Sequence, residues 1–137
     1  LFKISLIDSS VTRNLKKLDA NTKTGIRKAF LLIGEDLKKA SVNFVKNPPK
    51  TGIIYGRHQA SAPGESPANR TGRLATSINF KDHSFNSLDF GADAPYSGFL
   101  EKGTAKIKPR PYLTRAIKAR QKETIHYFEQ QIKKAIK

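Results

Sequence analysis

The chain has 137 residues, 37% of them hydrophobic, no cysteine, and 26 Lys/Arg against 11 Asp/Glu for a formal net charge of +15. These totals fit one domain with a modest core and exclude disulfides, thiol catalysis and thiolate metal sites. No window approaches the ~20 continuous apolar residues of a membrane span, and the opening LFKISLID lacks the basic and apolar blocks of a signal peptide.

A fold held by packing alone in a reducing cytoplasm is therefore expected, and the absence of Met at position 1 suggests a true start that is trimmed, removed or left out. The charge is uneven. Residues 1–50 carry a net +7, residues 51–103 a net of zero, and residues 104–137 a net +8. Two explanations stand, a solvated basic surface or a polyanionic partner. Contact with nucleic acid would then be weak, salt-sensitive and indifferent to sequence.

In chain order, Phe2, Ile4 and Leu6 alternate, which predicts a short half-buried strand. Ser9 or Ser10 can cap a long helix. Val11, Leu15, Leu18, Ile26, Phe30, Ile33, Leu37, Ala40 and Phe44 follow at threes and fours, apart from a gap at Thr22. Pro48-Pro49 must end it. Such a helix would span roughly 50 Å, far beyond the ~14 Å radius of gyration of a compact body this size. An interruption near Gly25 or Gly34 is expected, with the outer end packed on a neighbouring subunit.

A Pro/Gly-rich loop covers about 47–70, and Asn69 or Thr71 is the expected cap of a short helix carrying Leu74. Next, SINFKDH and SLDFGA alternate around the turn-compatible SFNS, predicting a β-hairpin with Ile78, Phe80, Leu88 and Phe90 on one face. Tyr96, Phe99 and Leu100 stand at helical spacing, with Gly103 as the stop. Pro111 suits a first helical turn, and Leu113, Ala116, Ile117, Thr124, Phe128, Ile132 and Ile136 predict a final helix with basic residues on its other face. The layout is α+β, a small antiparallel-containing sheet packed by a long N-terminal helix and a C-terminal helix, in a single domain over 1–137.

No set of residues assembles into a convincing catalytic, cofactor or metal site. His58, Glu65 and Asp82 lie in different element types without ligand spacing, and His83 and His126 have no i, i+4 partner. Gly64 and Gly72 are too far apart for a phosphate-cradling loop, and no Gly-Lys-Ser/Thr follows. Arg70 and Arg73 near a helix start leave phosphate binding as a minor alternative to arginines that face water or a carboxylate. The Asn69-Arg70-Thr71 glycosylation pattern has no meaning in a cytoplasmic chain. In KIKPRPYL, Pro109 and Pro111 hold the backbone extended around Arg110. An acidic partner is expected for this arginine, either Glu101 within the chain or a carboxylate on another subunit.

Three ordered blocks, HQASAPGESPANRTGRLATSI, GADAPYSGFLEKGT and KPRPYLTRAI, resemble the phage neck or head–tail joining family, Hong Kong ninety-seven gp-ten-like. They cover roughly residues 56–117, and their order and spacing are more specific than any one block. The usual Tyr-Ala is here Tyr96-Ser97, and the usual Phe after Arg-Pro is Tyr112. The resemblance implies a non-enzymatic virion protein of a tailed phage or prophage of the siphovirus kind. It would need no cofactor and no membrane, and would assemble in the host bacterial cytoplasm. Its members form rings in the neck that join the head-side connector to the tail around the DNA path. Implied partners are further copies of the chain, other connector and tail proteins, and DNA held non-specifically in the lumen. Glu65, Arg70, Arg73, Tyr96, Glu101, Arg110 and Tyr112 are the expected subunit or partner contacts. The alternative is a small basic nucleic-acid-binding protein.

Overall fold

The computed structural model describes residues 2–5, 19–47, 51–68 and 71–135. Strand β1 (Phe2–Ser5) is followed by helix α1 (Ala20–Lys46), the small hairpin β2 (Ile54–Tyr55) and β3 (His58–Gln59), and helix α2 (Arg73–Ser77). Strands β4 (Ile78–Ser84) and β5 (Ser87–Ala92) come next, then α3 (Ser97–Lys102), α4 (Leu113–Ala119) and α5 (Gln121–Ala135). The protein is α+β, with two small antiparallel sheets packed by the long helix α1 and the C-terminal helix α5.

The main sheet has the order β1-β5-β4. Phe90 in the central strand lies opposite both Phe2 and Phe80, so the three occupy one row across the sheet. Alternation within β4 and β5 produces this row: Ile78, Leu88 and Phe90 are buried, while Asn79 and Lys81 face water. The expected hairpin is present, closed through Phe85–Asn86.

Helix α1 covers the sheet with Ile26, Phe30, Ile33, Leu37, Ser41 and Val45, all buried at i, i+3 or i+4 spacing. The gap at Thr22 is filled by Thr22 itself, which is also buried. The expected interruption near Gly25 or Gly34 is absent, because α1 runs unbroken for 27 residues, about 40 Å. Its start lies instead at Asp19, whose backbone is extended (φ −66°, ψ 167°) and whose carboxylate accepts from the Thr22 amide at 2.8 Å. The proposed cap at Ser9 or Ser10 and the stripe Val11, Leu15 and Leu18 lie outside the described residues, as do Leu6, Pro48, Pro49 and Ile136.

The two glycines of α1 serve close approach. A Cβ on Gly34 would sit 2.5 Å from the Phe80 ring, and one on Gly25 2.6 Å from the Ala135 methyl. Without side chains there, β4 and α5 approach the α1 backbone closely. Helix α5 runs antiparallel to α1, with Ala135 beside Gly25 and Phe128 edge-on to Phe30 at 6.1 Å between ring centroids.

The expected single C-terminal helix is two helices, α4 and α5, divided at Arg120 (φ −105°, ψ 16°). Arg120 grips Asp36 of α1 through two parallel bonds, Nε–Oδ2 at 2.7 Å and Nη2–Oδ1 at 2.8 Å, which ties the junction to the long helix. Pro111 stands before the N-cap Tyr112 rather than in the first turn.

Candidate partner-docking cleft

The stretch expected as a loop contains a hairpin. Gly52, Ile53 and Ile54 run out, Gly56 turns in the left-handed region (φ 60°), and His58–Ala60 return. The Gly52 amide donates to Ala60 O and the Ala60 amide to Ile53 O, both at 3.0 Å. A Cβ at Gly52 would meet Ser61 O at 2.6 Å, so this crossing requires glycine. The run IIYGRHQ, a β-prone triplet ahead of a glycine turn, was the available sign of the hairpin.

At the base of this arm, the half-buried Glu65 carboxylate accepts from the Thr51 hydroxyl, the Ala62 amide (2.8 Å) and the Thr51 amide (3.2 Å). One side chain thus holds both ends of the hairpin. These donors, the Thr51 hydroxyl first and the Ala62 amide next, keep the carboxyl below its ordinary range. A depressed folded value means that the contribution is present above the unfolded carboxyl pKa and is lost as pH falls through the folded one. Acidification below the ordinary glutamate range should therefore loosen the arm. By NMR, the Thr51 and Ala62 amides should titrate with a midpoint below that of free glutamate, and Glu65→Gln should remove the transition. A midpoint at or above the free value would refute the assignment.

The following residues, 61–68, are fastened to the KPRPYLTR segment. Gly64 N donates to Pro109 O (3.1 Å), and Arg110 Nη1 to Ser61 Oγ (3.0 Å). Arg115 reaches Gly64 O (2.7 Å) and Ser66 Oγ (3.1 Å), while the Ser66 hydroxyl donates to Pro111 O (3.4 Å). Ser61 and Ser66 are buried in this seam. Arg115 is the anchor that the sequence reading missed, since nothing local distinguishes it from the other basic residues of the last third.

Glu101 does not pair with Arg110. It is only 7% exposed and accepts from the amides of Tyr112 (2.9 Å), Leu113 (3.1 Å) and Thr114 (2.9 Å) and from the Thr114 hydroxyl. It therefore caps α4 from α3, and the Arg110 amide is held separately by Leu100 O at 2.7 Å. Tyr112 is fully buried beneath it, and burial, followed by the Glu101 charge, pushes its phenol upward. Both residues were expected at a contact surface. Their side chains are instead enclosed within the chain, and they shape the site from behind.

The expected caps of α2 are also corrected. Gly72, in the left-handed region (φ 81°), occupies the N-cap without a side-chain bond, and Thr71 Oγ accepts only a long 3.4 Å contact from the Arg73 amide. Arg73 is exposed. Asn69 and Arg70 lie outside the described residues.

Between the arm, residues 60–68 and α3 lies an open cleft of about 330 Å³, with Tyr55, His58, Pro67, Leu74, Tyr96 and Arg110 in its walls. Of the expected contact residues, Tyr96 and Arg110 meet here, and Glu65 stands close enough for Arg110 to act on its charge. The outgoing side of the arm is apolar and bare up to the Gly56-Arg57 turn, with Ile53, Ile54 and Tyr55 exposed to 68%, 66% and 60%. A second depression, beside Pro95, Phe99, Lys102 and Leu113, opens on a different face of α3, and Phe99 is exposed at its rim.

His58, Glu65 and Asp82 are not brought together as a site. His58 faces the cleft, Glu65 is bonded to Thr51 and Ala62, and Asp82 pairs with Arg27 of α1. No group of three His, Cys, Asp or Glu with metal-binding geometry occurs among the described residues, and no helix among them is long and apolar enough to cross a membrane. The cleft offers a guanidinium, two phenol rings and aliphatic walls, an arrangement suited to recognition. Comparison with protein-family models, curated proteins and solved structures finds no match to this chain.

Proposed function

We propose that this chain is a structural virion protein of a tailed phage or prophage, a subunit of a ring at the head–tail joint. In this role it links the head-side connector to the tail around the DNA path and catalyses nothing. The observation that carries the proposal is the arm. A soluble monomer gains nothing from three adjacent large apolar side chains on the outgoing side of a hairpin stapled at its base. A subunit that inserts this arm into a neighbour does.

Ring closure needs two different complementary surfaces on each subunit. The projecting arm and the depression beside Phe99 supply a convex and a concave apolar feature on one chain. The three-block resemblance to neck proteins spans both the loop below the arm and α3.

The test is the triple substitution Ile53→Ser, Ile54→Ser, Tyr55→Ser in a phage or prophage carrying the gene. These side chains are exposed, so the isolated protein should melt within a few degrees of the parent. Heads and tails should nevertheless accumulate unjoined, with infectious yield reduced by orders of magnitude. Normal yield from a folded triple variant would refute the proposal.

The alternative, a small nucleic-acid-binding protein, is favoured by one observation. Lys28, Lys39 and Lys46 of α1 and Lys122, Lys133 and Lys134 of α5 are all exposed. Tight DNA binding by the isolated chain, with a steep salt slope, would support it.

A further inference from the structure

We infer that the cleft between the arm and α3 binds an acidic segment of a different protein, a carboxylate on Arg110 beside an apolar side chain against Tyr55 and Tyr96. The adaptor role enters only in making that protein a neighbour in the joint.

Arg110 reaches this cleft with little of its hydrogen-bonding capacity used. The guanidinium makes one side-chain bond, from Nη1 to Ser61 Oγ at 3.0 Å; its Nε is buried without a partner among the described residues, so the donors left over are those of the two terminal nitrogens. No carboxylate among the described residues lies within ion-pair distance of it. Glu65, the nearest acidic influence, already has its oxygens bonded by Thr51 and Ala62. The backbone on either side is fixed, with Arg110 N on Leu100 O and Pro109 O accepting from Gly64 N. The arginine is thus presented in a set direction with donors left over, the condition under which a carboxylate binds in bidentate fashion.

The walls argue for a peptide over a nucleic acid. Among the described residues the cleft holds one guanidinium, and the Glu65 carboxylate acts on it; a phosphate backbone needs several cations in a row. The basic excess of this protein lies at the chain ends, whereas residues 51–103, which supply most of the cleft, are neutral overall. Tyr55 and Tyr96 are 60% and 37% exposed and suit an aliphatic or aromatic neighbour of the acidic residue.

A second copy is an unsuitable source of that segment. Five of the eleven acidic side chains are committed internally: Asp19 and Glu101 to helix caps, Glu65 to the arm, and Asp36 and Asp82 to arginines. The longest acidic run in this chain is the pair Glu35-Asp36, so a second copy has no acidic segment to offer. The complement of this cleft is an acidic chain of other origin.

The experiment selects a random dodecapeptide display library on the immobilised full chain, followed by fluorescence anisotropy with the enriched peptides. Enrichment of Asp or Glu next to Leu, Ile, Phe or Tyr is expected. Replacing the carboxylate by its amide should weaken binding at least tenfold, as should Arg110→Gln or Tyr55→Ser. Tyr55 is exposed, so the second variant retains the fold if the first does not. Absence of acidic enrichment, equal binding to Tyr55→Ser, or displacement of the peptides by duplex DNA at physiological salt would each overturn the inference. Loss of binding in proportion to self-association would do so too, by assigning the cleft to a second copy. Peptide binding is read without phage assembly, so failure here leaves the adaptor test standing, and the reverse holds.

Discussion

Replacing Glu101 by alanine should destabilise the protein by about 3 kcal/mol, lowering its melting temperature by roughly 10 °C. Helix α4 has no side-chain cap of its own, since its N-cap is Tyr112. Three of its first amides and the Thr114 hydroxyl turn to Glu101, which lies 11 to 13 residues earlier in the chain. Alanine would strand the buried Tyr112 and Leu113 amides, and each such donor costs on the order of 1–3 kcal/mol when unmet. Glu101→Gln should cost less but still about 2 kcal/mol, because its amide NH₂ faces donors where an oxygen had accepted. Hydrogen exchange at Leu113 and Thr114 should accelerate in both variants. Unchanged melting with unchanged protection at those amides would show that the cap contributes nothing. The same substitution should loosen the Pro109–Tyr112 turn, and with it Arg110 in the cleft, through structure rather than through a lost surface contact.

Gly34→Ala is the second large effect, and its sign depends on a partner. In an exposed helix the change would stabilise by about 1 kcal/mol. Here the added methyl would lie 2.5 to 2.8 Å from three ring atoms of Phe80, a separation that forces the helix and β4 apart. Overpacking of this kind costs about 1–3 kcal/mol. A net loss of about 1–2 kcal/mol is expected in the parent. In a Phe80→Ala background the clash disappears, and Gly34→Ala should turn stabilising by up to about 1 kcal/mol. A double-mutant cycle by urea denaturation measures the coupling. Loss of the same size in both backgrounds would mean that Gly34 is not there for Phe80.

Much of the framework was legible because periodicity reports which face is buried. The spacing of Ile26, Phe30, Ile33 and Leu37 and the alternation around Ile78, Phe80, Leu88 and Phe90 place a helix and a hairpin over one core, as the structure has them. Boundaries were less legible. Asp19 ends the helix with a single side-chain bond in a stretch where the apolar stripe continues, so pattern alone ran the helix through it. The glycines of α1 were read as hinges because their intrinsic effect is to weaken helices; their role in close packing involves residues 46 and 110 positions away.

The candidate site was legible in its residues and not in their connections. Arg110 was expected to be presented by its flanking prolines, and the structure does present it, but its bond goes to Ser61 and not to Glu101. Glu65 and Arg115 pair with groups far along the chain that carry no sequence pattern of their own.

Local sequence by itself determined the long helix, the β4–β5 hairpin, the α+β class and the position of the basic ends, because propensity, periodicity and formal charge are properties of neighbouring residues. Only the tertiary structure decided that Glu101 is a buried cap, that Gly34 makes room for Phe80, and that the hairpin, residues 60–68 and α3 border a cleft with Arg110 in its wall. Each of these depends on which distant polar or apolar group is left to satisfy once the core has closed, and that is decided by the packing of elements in space.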